Sequence, residues 1–264
     1  MAAVMEHMSD AAYFALPDMN HSSLRWLIDD TPAHYRWRRD HPLDMEPTPA
    51  MEFGTAVHSL VLGGPGIVPI DAEDWRTKAA KDARAAVRAD GGVALLTDDF
   101  QRAQNMAEAV RAHPVAAKLL STADHTEVVI RWEERGVPCK AKLDLVAGKF
   151  GADLKTTDNA HPAAFGRSVA KYGYHTAQAF YEYAMRAAGI ASPRFVFIAV
   201  EKQPPHLVSA LVLEEYAVSL ARQTVDSALE LYKTCAETDT WPGYGDALQP
   251  VQLPRWAEIE META

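Results

Sequence analysis

Three strand-like segments follow one another in the middle of the chain and restrict the folds that are open to it. They are TEVVIRW (126–132), VPCKAKLDLV (137–146) and FGADLKT (150–156), and the short turns EERG and AGK separate them. Alternating and β-branched residues bounded by turn residues are typical of strands joined directly to one another. We therefore expect a three-stranded sheet at the centre of the protein.

Helical patterns precede and follow this sheet, and two further strand patterns lie between the later helices. The order predicts an α/β (α+β) fold in which a central mixed β-sheet is flanked by helices, with an N-terminal helical region. We expect a flexible N-terminus (1–20) and then a single domain (21–264), made of a helical part (21–121), a sheet core (122–235) and a C-terminal tail (236–264). Helices are predicted at 21–40, 51–62, 75–89, 98–121, 175–188 and 214–235, and the later strands at 194–200 and 206–213.

Composition excludes several classes of function. The only two cysteines, Cys139 and Cys235, form no CxxC pair, which excludes a cysteine-based zinc site and an iron–sulfur cluster. No glycine pattern of the dinucleotide or P-loop type occurs, so no nucleotide cofactor is expected. The chain has no signal-peptide pattern and no apolar run near the ~18 residues of a membrane span. We expect a cytoplasmic protein with no membrane partner.

The charge is unevenly distributed. The chain carries a net charge of −10, which by itself disfavours nucleic acid as a partner. Residues 131–171 nevertheless hold eight bases and five acids, whereas residues 214–264 hold three bases and ten acids. The motif GADLKTT (151–157) therefore lies in the locally basic part of an acidic protein.

The basic segment contains the motif GADLKTT (151–157). Asp153 and Lys155 project from one face of a strand, because side chains alternate with a period of two. An isolated pair of this kind is most often an exposed ion pair. Beside a metal site, however, a lysine can orient a water molecule and stabilise negative charge that develops on a phosphate.

Two further carboxylates are expected on the same face. If EERG is a four-residue hairpin loop, Glu127 lies opposite Lys142 and on the same face as Asp144. Glu127, Asp144 and Asp153 then converge at one end of the sheet. Carboxylates this close together repel unless a cation neutralises them, and oxygen ligands favour Mg2+ or Mn2+ over zinc.

With these residues in place, the sequence resembles a known family. Asp144 followed by Asp153, Leu154 and Lys155 matches the PD-(D/E)XK nuclease signature of the RecB-like branch. More of the chain, from about residue 20, resembles the prophage-type exonuclease VIII (RecE-type) C-terminal nuclease domain. The matching segments are SSLRWLIDDTPAHYRW (22–37), FGTAVHSLVLGGP (53–65), TEVVIRWEERGVPCKAKLDLV (126–146), GADLKTTDNA (151–160), YHTAQAFYEYAMRAAG (174–189) and WPGYGDALQPVQLPRWAE (241–258).

The resemblance implies roles for individual residues. It implies Mg2+, replaceable by Mn2+, held by His58, Asp144, Asp153 and the backbone carbonyl of Leu154, and it leaves open whether Glu127 binds metal or water. Lys155 corresponds to the catalytic lysine. Gln178 and Tyr181 correspond to a helix motif near the DNA backbone, although they lie three apart rather than the family's four and Ala177 stands at the usual glutamine position.

Six other residues are candidates for DNA binding, each with a plainer alternative. The three arginines form a basic run that is more often a solvated face. Thr156 ends a strand, and Tyr174 and His175 open a helix where packing or capping would also explain them. The six are Thr156, Tyr174, His175, Arg36, Arg38 and Arg39.

The resemblance also implies an activity. We expect 5′→3′ digestion of linear double-stranded DNA from its ends, leaving 3′ single-stranded DNA for recombination by a RecT-type annealing protein, with a ring-like homo-oligomer. Three alternatives stay open. They are an endonuclease or single-strand-specific nuclease of the same fold, a non-catalytic DNA-binding recombination scaffold, and a metal-dependent phosphoesterase that acts on small substrates.

Overall fold

The structure of the protein, a computed structural model, describes residues 3–42 and 47–253. Eight strands and ten α-helices form within these residues. The strands are β1 (Val4–Glu6), β2 (Ile67–Ile70), β3 (Val93–Leu96), β4 (His125–Glu134), β5 (Val137–Ala147), β6 (Phe150–Thr157), β7 (Arg194–Glu201) and β8 (Val208–Leu211). The helices are α1 (Asp10–Ala15), α2 (His21–Asp29), α3 (Pro32–Asp40), α4 (Pro49–Leu62), α5 (Lys78–Ala89), α6 (Thr97–Ala112), α7 (Pro114–Ser121), α8 (Pro162–Tyr172), α9 (Tyr174–Ala187) and α10 (Glu215–Thr238).

The central sheet confirms the predicted mixed architecture. Its six strands lie in the order β1-β4-β5-β6-β7-β8. Only β6 and β7 are parallel among the pairs of this sheet, and helices α8 and α9 form the crossover between them. The remaining pairs are antiparallel, as expected for strands joined by short turns.

Helices cover both faces of the sheet. On one face α2, α8, α9 and α10 pack around a core that includes Trp132 and Phe180. On the other face α4, α6 and α7, together with β3, pack around Met106 and Leu154. None of the described helices is long and apolar enough to cross a membrane.

The N-terminal segment is more ordered than predicted. The expectation of a flexible stretch over residues 1–20 is wrong for the residues described from position 3 onwards. Strand β1 pairs with β4, and Met19 is buried and exchanges backbone hydrogen bonds with the residues on either side of Cys139. Pairing with a distant strand, which local sequence does not reveal, orders this segment. Residues 254–264 of the predicted tail lie outside the described residues.

The predicted helix over 21–40 is two helices. Thr31 interrupts it, because its backbone is extended and its hydroxyl caps α3 by accepting the N–H of His34. Pro32 occupies the first turn of α3, where no intrahelical partner exists for the N–H that proline lacks. The residue before a proline avoids the helical conformation, which explains the extended backbone of Thr31. Asn20 caps α2, because its side-chain oxygen accepts the N–H of Ser23.

Besides β1 and α1, three elements were not predicted from the sequence. Strands β2 and β3 form a small parallel sheet of four residue pairs. Each strand is short and their partner is far away in sequence, so no local pattern indicates them. The third is α8, which buries Phe165 and Val169 against the large core.

Candidate active site

Strands β5 and β6 separate at the two central aspartates. Their pairing runs from Ala147 and Phe150 to Leu145 and Ala152 and then stops, so the next position brings Asp144 and Asp153 opposite each other. A side chain takes over where the ladder ends: Asp144 Oδ2 accepts the N–H of Leu154 at 2.8 Å. Strand β6 remains paired with β7 over its whole length. The separation opens space for both carboxylates at the same edge.

Helix α4 and strand β4 bring two more ligands to this place. His58 Nδ1 lies 3.4 Å from Asp144 Oδ2. Glu127 interrupts the extended backbone of β4 with a φ of +50°, which is uncommon for a residue other than glycine and concentrates at functional sites. One ligand atom each from His58, Glu127 and Asp144 lies within 4.8 Å of the other two. We call these three residues the acidic cluster.

The register that brings Glu127 into the acidic cluster differs from the predicted one. The hairpin loop is only two residues long, with Arg135 and Gly136 both at positive φ. Type I′ turns of this kind match the twist of the strands they join. The predicted four-residue loop is therefore wrong, and Glu127 falls opposite Asp144 rather than Lys142. Because the shift is two residues, its side chain stays on the predicted face.

Asp153 and Lys155 form an ion pair next to the acidic cluster. Lys155 Nζ lies 2.5 Å from Asp153 Oδ2 and 5.1 Å from the centre of the Tyr174 ring. Within the described part of the chain, Asp153 is not one of the three residues that share the 4.8 Å separation. The backbone N–H of Leu154 binds Asp144. The role of the Leu154 carbonyl as a metal ligand stays a prediction.

The electrostatics of the site show an excess of negative charge. Burial raises the pKa of Asp144 to about 6, and the nearby carboxylates of Asp153 and Glu127 add to this, while His58 and Lys155 oppose it. Burial lowers the pKa of Lys155, but the two aspartates outweigh burial and raise it above its ordinary value. Lys155 is therefore an ammonium at neutral pH. The cluster as it stands favours uptake of either a proton or a metal cation at Asp144.

Two residues near the acidic cluster were missed by sequence reasoning. Lys142 Nζ lies 2.6 Å from Glu127 Oε2 and 2.7 Å from Asp10 Oδ1. Burial lowers the pKa of Lys142, and its two carboxylate partners more than offset this. The K-x-D spacing of Lys142 and Asp144 was a signal that could have been used. No local signal marks Asp10, which reaches the site on α1.

Close packing of α9 on β6 places Tyr181. A side chain at Gly151 would meet Met185 Sδ at 2.7 Å, so only glycine permits the approach. Tyr181 lies one turn before Met185 on the same helix face. Burial raises the pKa of Tyr181 well above its ordinary value, with contributions from Asp153 and Asp144. The phenol is thus a neutral hydrogen-bond donor beside the carboxylates.

Gln178 does not join these residues. Its amide donates to Glu182 Oε1 at 2.9 Å, and it lines a cleft with Phe150 and Arg222 at the beginning of β6. Its own Oε1 is buried without a partner among the described residues. The structure therefore separates Gln178 from Tyr181, which is consistent with the altered spacing of the motif.

Two histidines illustrate opposite outcomes. His175 Nδ1 lies 3.3 Å from the carbonyl of Val169, at the start of α9, as the packing interpretation expects. His21, for which the sequence gives no signal, is bound to Thr176 Oγ1 at 2.9 Å. Burial lowers the pKa of His21 to about 3, aided by the positive charges of Arg25 and Lys155. His21 is thus a neutral imidazole on the lysine side of the site.

Of the other predicted DNA-binding residues, two lie near the active site and three do not. Thr156 and Tyr174 line one cleft beyond Lys155. The three arginines of α3 lie elsewhere and already have partners. Arg36 binds Asp40, Arg38 binds Asp30, and Arg39 binds the carbonyl of Pro17 and the Tyr35 hydroxyl.

Comparisons with known proteins agree with this architecture. A family model described as "PDDEXK-like domain of unknown function (DUF3799)" matches residues 21–253. The structure is similar to the crystal structure of a "Putative exonuclease" from Eubacterium rectale, with a TM-score of 0.61 and 13% sequence identity, covering 94% of this chain and 97% of that one. At this identity the likeness establishes the fold. A search of curated proteins finds no match.

Proposed function

The chain belongs to the PDDEXK-like family DUF3799, and from that premise we propose that it is a divalent-metal-dependent deoxyribonuclease. More specifically, we propose an exonuclease that digests linear double-stranded DNA in the 5′→3′ direction and leaves 3′ single strands for recombination. The observation that carries the nuclease proposal is the acidic cluster beside the Asp153–Lys155 pair.

The donors of the acidic cluster suit a metal ion. Two carboxylates and an imidazole offer ligand atoms within 4.8 Å of one another. Burial raises the pKa of Asp144, and the carboxylates of Asp153 and Glu127 raise it further while His58 and Lys155 oppose them, so the ionised carboxylate is stabilised by an added cation. His58, Glu127 and Asp144 would hold the ion. Asp153 and the Leu154 carbonyl, which the sequence resemblance implies as ligands, are part of the same proposal. A bound divalent cation would neutralise these carboxylates and stabilise negative charge that develops on a scissile phosphate.

The protein's own side chains supply the remaining chemistry. Lys155, an ammonium held by Asp153, orients the attacking water and donates hydrogen bonds to the phosphate oxygens as their charge increases. Tyr174 fixes the lysine by lying against its Nζ. Tyr181 keeps its proton because burial raises its pKa, and we infer that it donates to a phosphate oxygen. Asp144 is held in place by the Leu154 N–H, so the carboxylate needs no reorganisation.

The finer features of the proposal rest on the sequence resemblance. They are the 5′→3′ polarity, the choice of double-stranded ends, a RecT-type annealing partner and a ring-like homo-oligomer. Mg2+ as the working ion, with Mn2+ as a substitute, is supported by the ligand types but is equally part of the proposal. Each feature predicts a separate observation on purified protein.

The decisive experiment compares linear duplex DNA, labelled at either the 5′ or the 3′ end, with covalently closed circular duplex and single strands. We expect nucleotides to be released from the 5′ ends of linear duplex with Mg2+, and neither EDTA-treated protein nor Asp153→Ala to act. Asp246→Ala, an exposed aspartate in the tail, is the matched control. Equal loss of the circle would indicate an endonuclease, preference for single strands a different exonuclease, and binding without hydrolysis a scaffold.

A further inference from the structure

A cationic cleft lies next to Lys155, on the far side of Tyr174 from the acidic cluster. The cleft has a volume of about 290 Å3 and is formed by the end of β6, helix α8 and the residue after β7. Tyr174 connects it to the active site, since the same ring lines the cleft and lies against Lys155 Nζ. A strand of DNA whose phosphate reaches Lys155 would therefore pass this cleft.

The charge of the cleft is unusual for an acidic protein. Its walls contain three basic residues (Arg167, Lys171 and Lys202) and one acid (Asp158). Asp158 pairs with Lys202 at 3.1 Å, but its side chain is 90% exposed and such pairs are weak. Among the described residues, neither Arg167 nor Lys171 has a carboxylate partner. This distinguishes them from Arg36 and Arg38 of α3, each of which is bound to an aspartate.

Helix α8 presents these two cations on a fixed support. Arg167 and Lys171 are four residues apart and share a helix face. Phe165 and Val169 bury the opposite side of the helix in the core. Arg25 holds the end of the helix by donating to the carbonyls of Tyr172 and Lys171. Cations on an anchored helix lose less freedom when they bind an anion than cations on a loop.

The neutral groups of the cleft fit the same ligand. Thr156, Ser168 and Asn159 line its walls and carry side-chain hydrogen-bond donors, whereas the Thr157 hydroxyl already donates to the Asn159 carbonyl. Phosphates in protein–DNA complexes are bound by this combination of lysine, arginine, hydroxyl and amide groups. We propose that this cleft binds an internal backbone phosphate of the DNA strand that occupies the active site, with Arg167 and Lys171 supplying the charge. The inference rests on the proposed function.

The test uses the double variant Arg167→Ala/Lys171→Ala. Its matched control is Lys81→Ala/Lys118→Ala, two exposed lysines on helices α5 and α7. Binding of a short labelled duplex is measured in EDTA, where metal-dependent hydrolysis is absent, over a series of salt concentrations. We expect the double variant to bind roughly tenfold more weakly, the size of a lost charge-assisted hydrogen bond. The slope of log Kd against log salt should decrease by about 1 for each lost phosphate contact.

A second measurement separates this inference from the proposed function. In Mg2+, KM for linear duplex should increase in the double variant while kcat changes little, because the reacting groups are untouched. Binding and salt dependence equal to those of the control variant would overturn the inference even if the wild type is a nuclease. Weakened binding by the double variant would support it even if the wild type hydrolyses nothing. A loss confined to 5′-phosphorylated duplex, absent with 5′-hydroxyl duplex, would overturn the assignment to an internal phosphate.

Discussion

Two groups of buried carboxylates in this protein are neutralised in different ways. In the first, Glu182 on α9 is bound by Arg222 at 2.8 Å and Arg186 at 3.0 Å, and the Gln178 amide also donates to it. We call this the Glu182 network. Glu52 repeats the pattern, because two arginines of α5, Arg84 and Arg88, bind it. In both cases one carboxylate faces two guanidinium groups.

The acidic cluster has the reverse balance. Asp144 and Glu127 lie together beside Asp153, and the nearby lysines are shared: Lys142 between Glu127 and Asp10, Lys155 with Asp153. A buried carboxylate with two arginines is stable and chemically inert, whereas carboxylates in excess favour a further cation. Charge balance therefore distinguishes the Glu182 network from the proposed active site, even though both are buried and polar.

The largest expected effect is on catalysis. Lys155→Ala should lower kcat for duplex hydrolysis by about 10²- to 10³-fold, because the charge that stabilises the developing phosphate is lost. Lys118→Ala, on the opposite face of the sheet, should leave kcat unchanged. Steady-state kinetics on linear duplex measure both. Activity of Lys155→Ala within a few-fold of the wild type would show that the excess of charge has no catalytic meaning.

Neutralising the carboxylate of the Glu182 network should destabilise the protein. Glu182→Gln leaves two guanidinium groups without their anion, and breaking a buried pair costs about 3–5 kcal/mol. Urea denaturation followed by circular dichroism gives the free energy of unfolding, and Glu230→Gln, on the exposed side of α10, is the control. An unchanged midpoint would contradict the view that this network is structural.

Metal binding at the acidic cluster should increase the free energy of unfolding of the protein, and this increase should require the ligands of that cluster. Mn2+ at a hundred times its Kd should add about 2.7 kcal/mol to the free energy of unfolding, since it binds only the folded chain. The rise in Tm should disappear in His58→Ala, which removes a ligand, and persist in Glu182→Gln. Thermal unfolding with and without EDTA tests this. An equal rise in the wild type and in His58→Ala would place the ion elsewhere.

Asp144→Asn should stabilise the protein, whereas Glu182→Gln should destabilise it. Burial raises the folded-state pKa of Asp144 to about 6, so its charged form destabilises the fold. That penalty is absent below the ordinary aspartate pKa and complete above about pH 6. In EDTA the variant should therefore be more stable than the wild type by about 3 kcal/mol at pH 8 and equal to it near pH 4. Denaturation midpoints of the variant and the wild type at the two pH values test this expectation. A variant less stable than the wild type at pH 8 would contradict an excess of negative charge around Asp144.

The smallest effect concerns Gln178. Because its amide binds Glu182 rather than the site, Gln178→Ala should lower kcat less than tenfold and should mainly reduce stability, by about 1 kcal/mol. Tyr181→Phe, one turn further along the same helix and beside the aspartates, should lower kcat more. Steady-state kinetics and urea denaturation of the two variants give their kcat values and free energies of unfolding for this comparison. A larger loss of kcat in Gln178→Ala than in Tyr181→Phe would indicate that Gln178 acts in the active site.

Much of the fold followed from local patterns. The runs around Val128, Leu143 and Leu154 predicted β4, β5 and β6, and the β6–β7 crossover was implied by a helix between two apolar strands. The two-residue turn at Arg135 and Gly136 was misjudged, because the same letters suit loops of either length. Strands β1, β2 and β3 escaped prediction, since each is three or four residues long and pairs with a distant segment.

By itself, the sequence determined which chemical groups are available and how they alternate: a strand with Asp153 and Lys155 on one face, a second aspartate nearby, and a histidine on a helix. Those features are periodic or local, and periodicity is visible in a linear chain. Only the tertiary structure decided which groups meet. It brought Glu127 opposite Asp144, added Lys142 and Asp10, and turned Gln178 towards Glu182. Contacts of this kind depend on the register and separation of strands and on the close approach of helices, and packing across the whole molecule sets both.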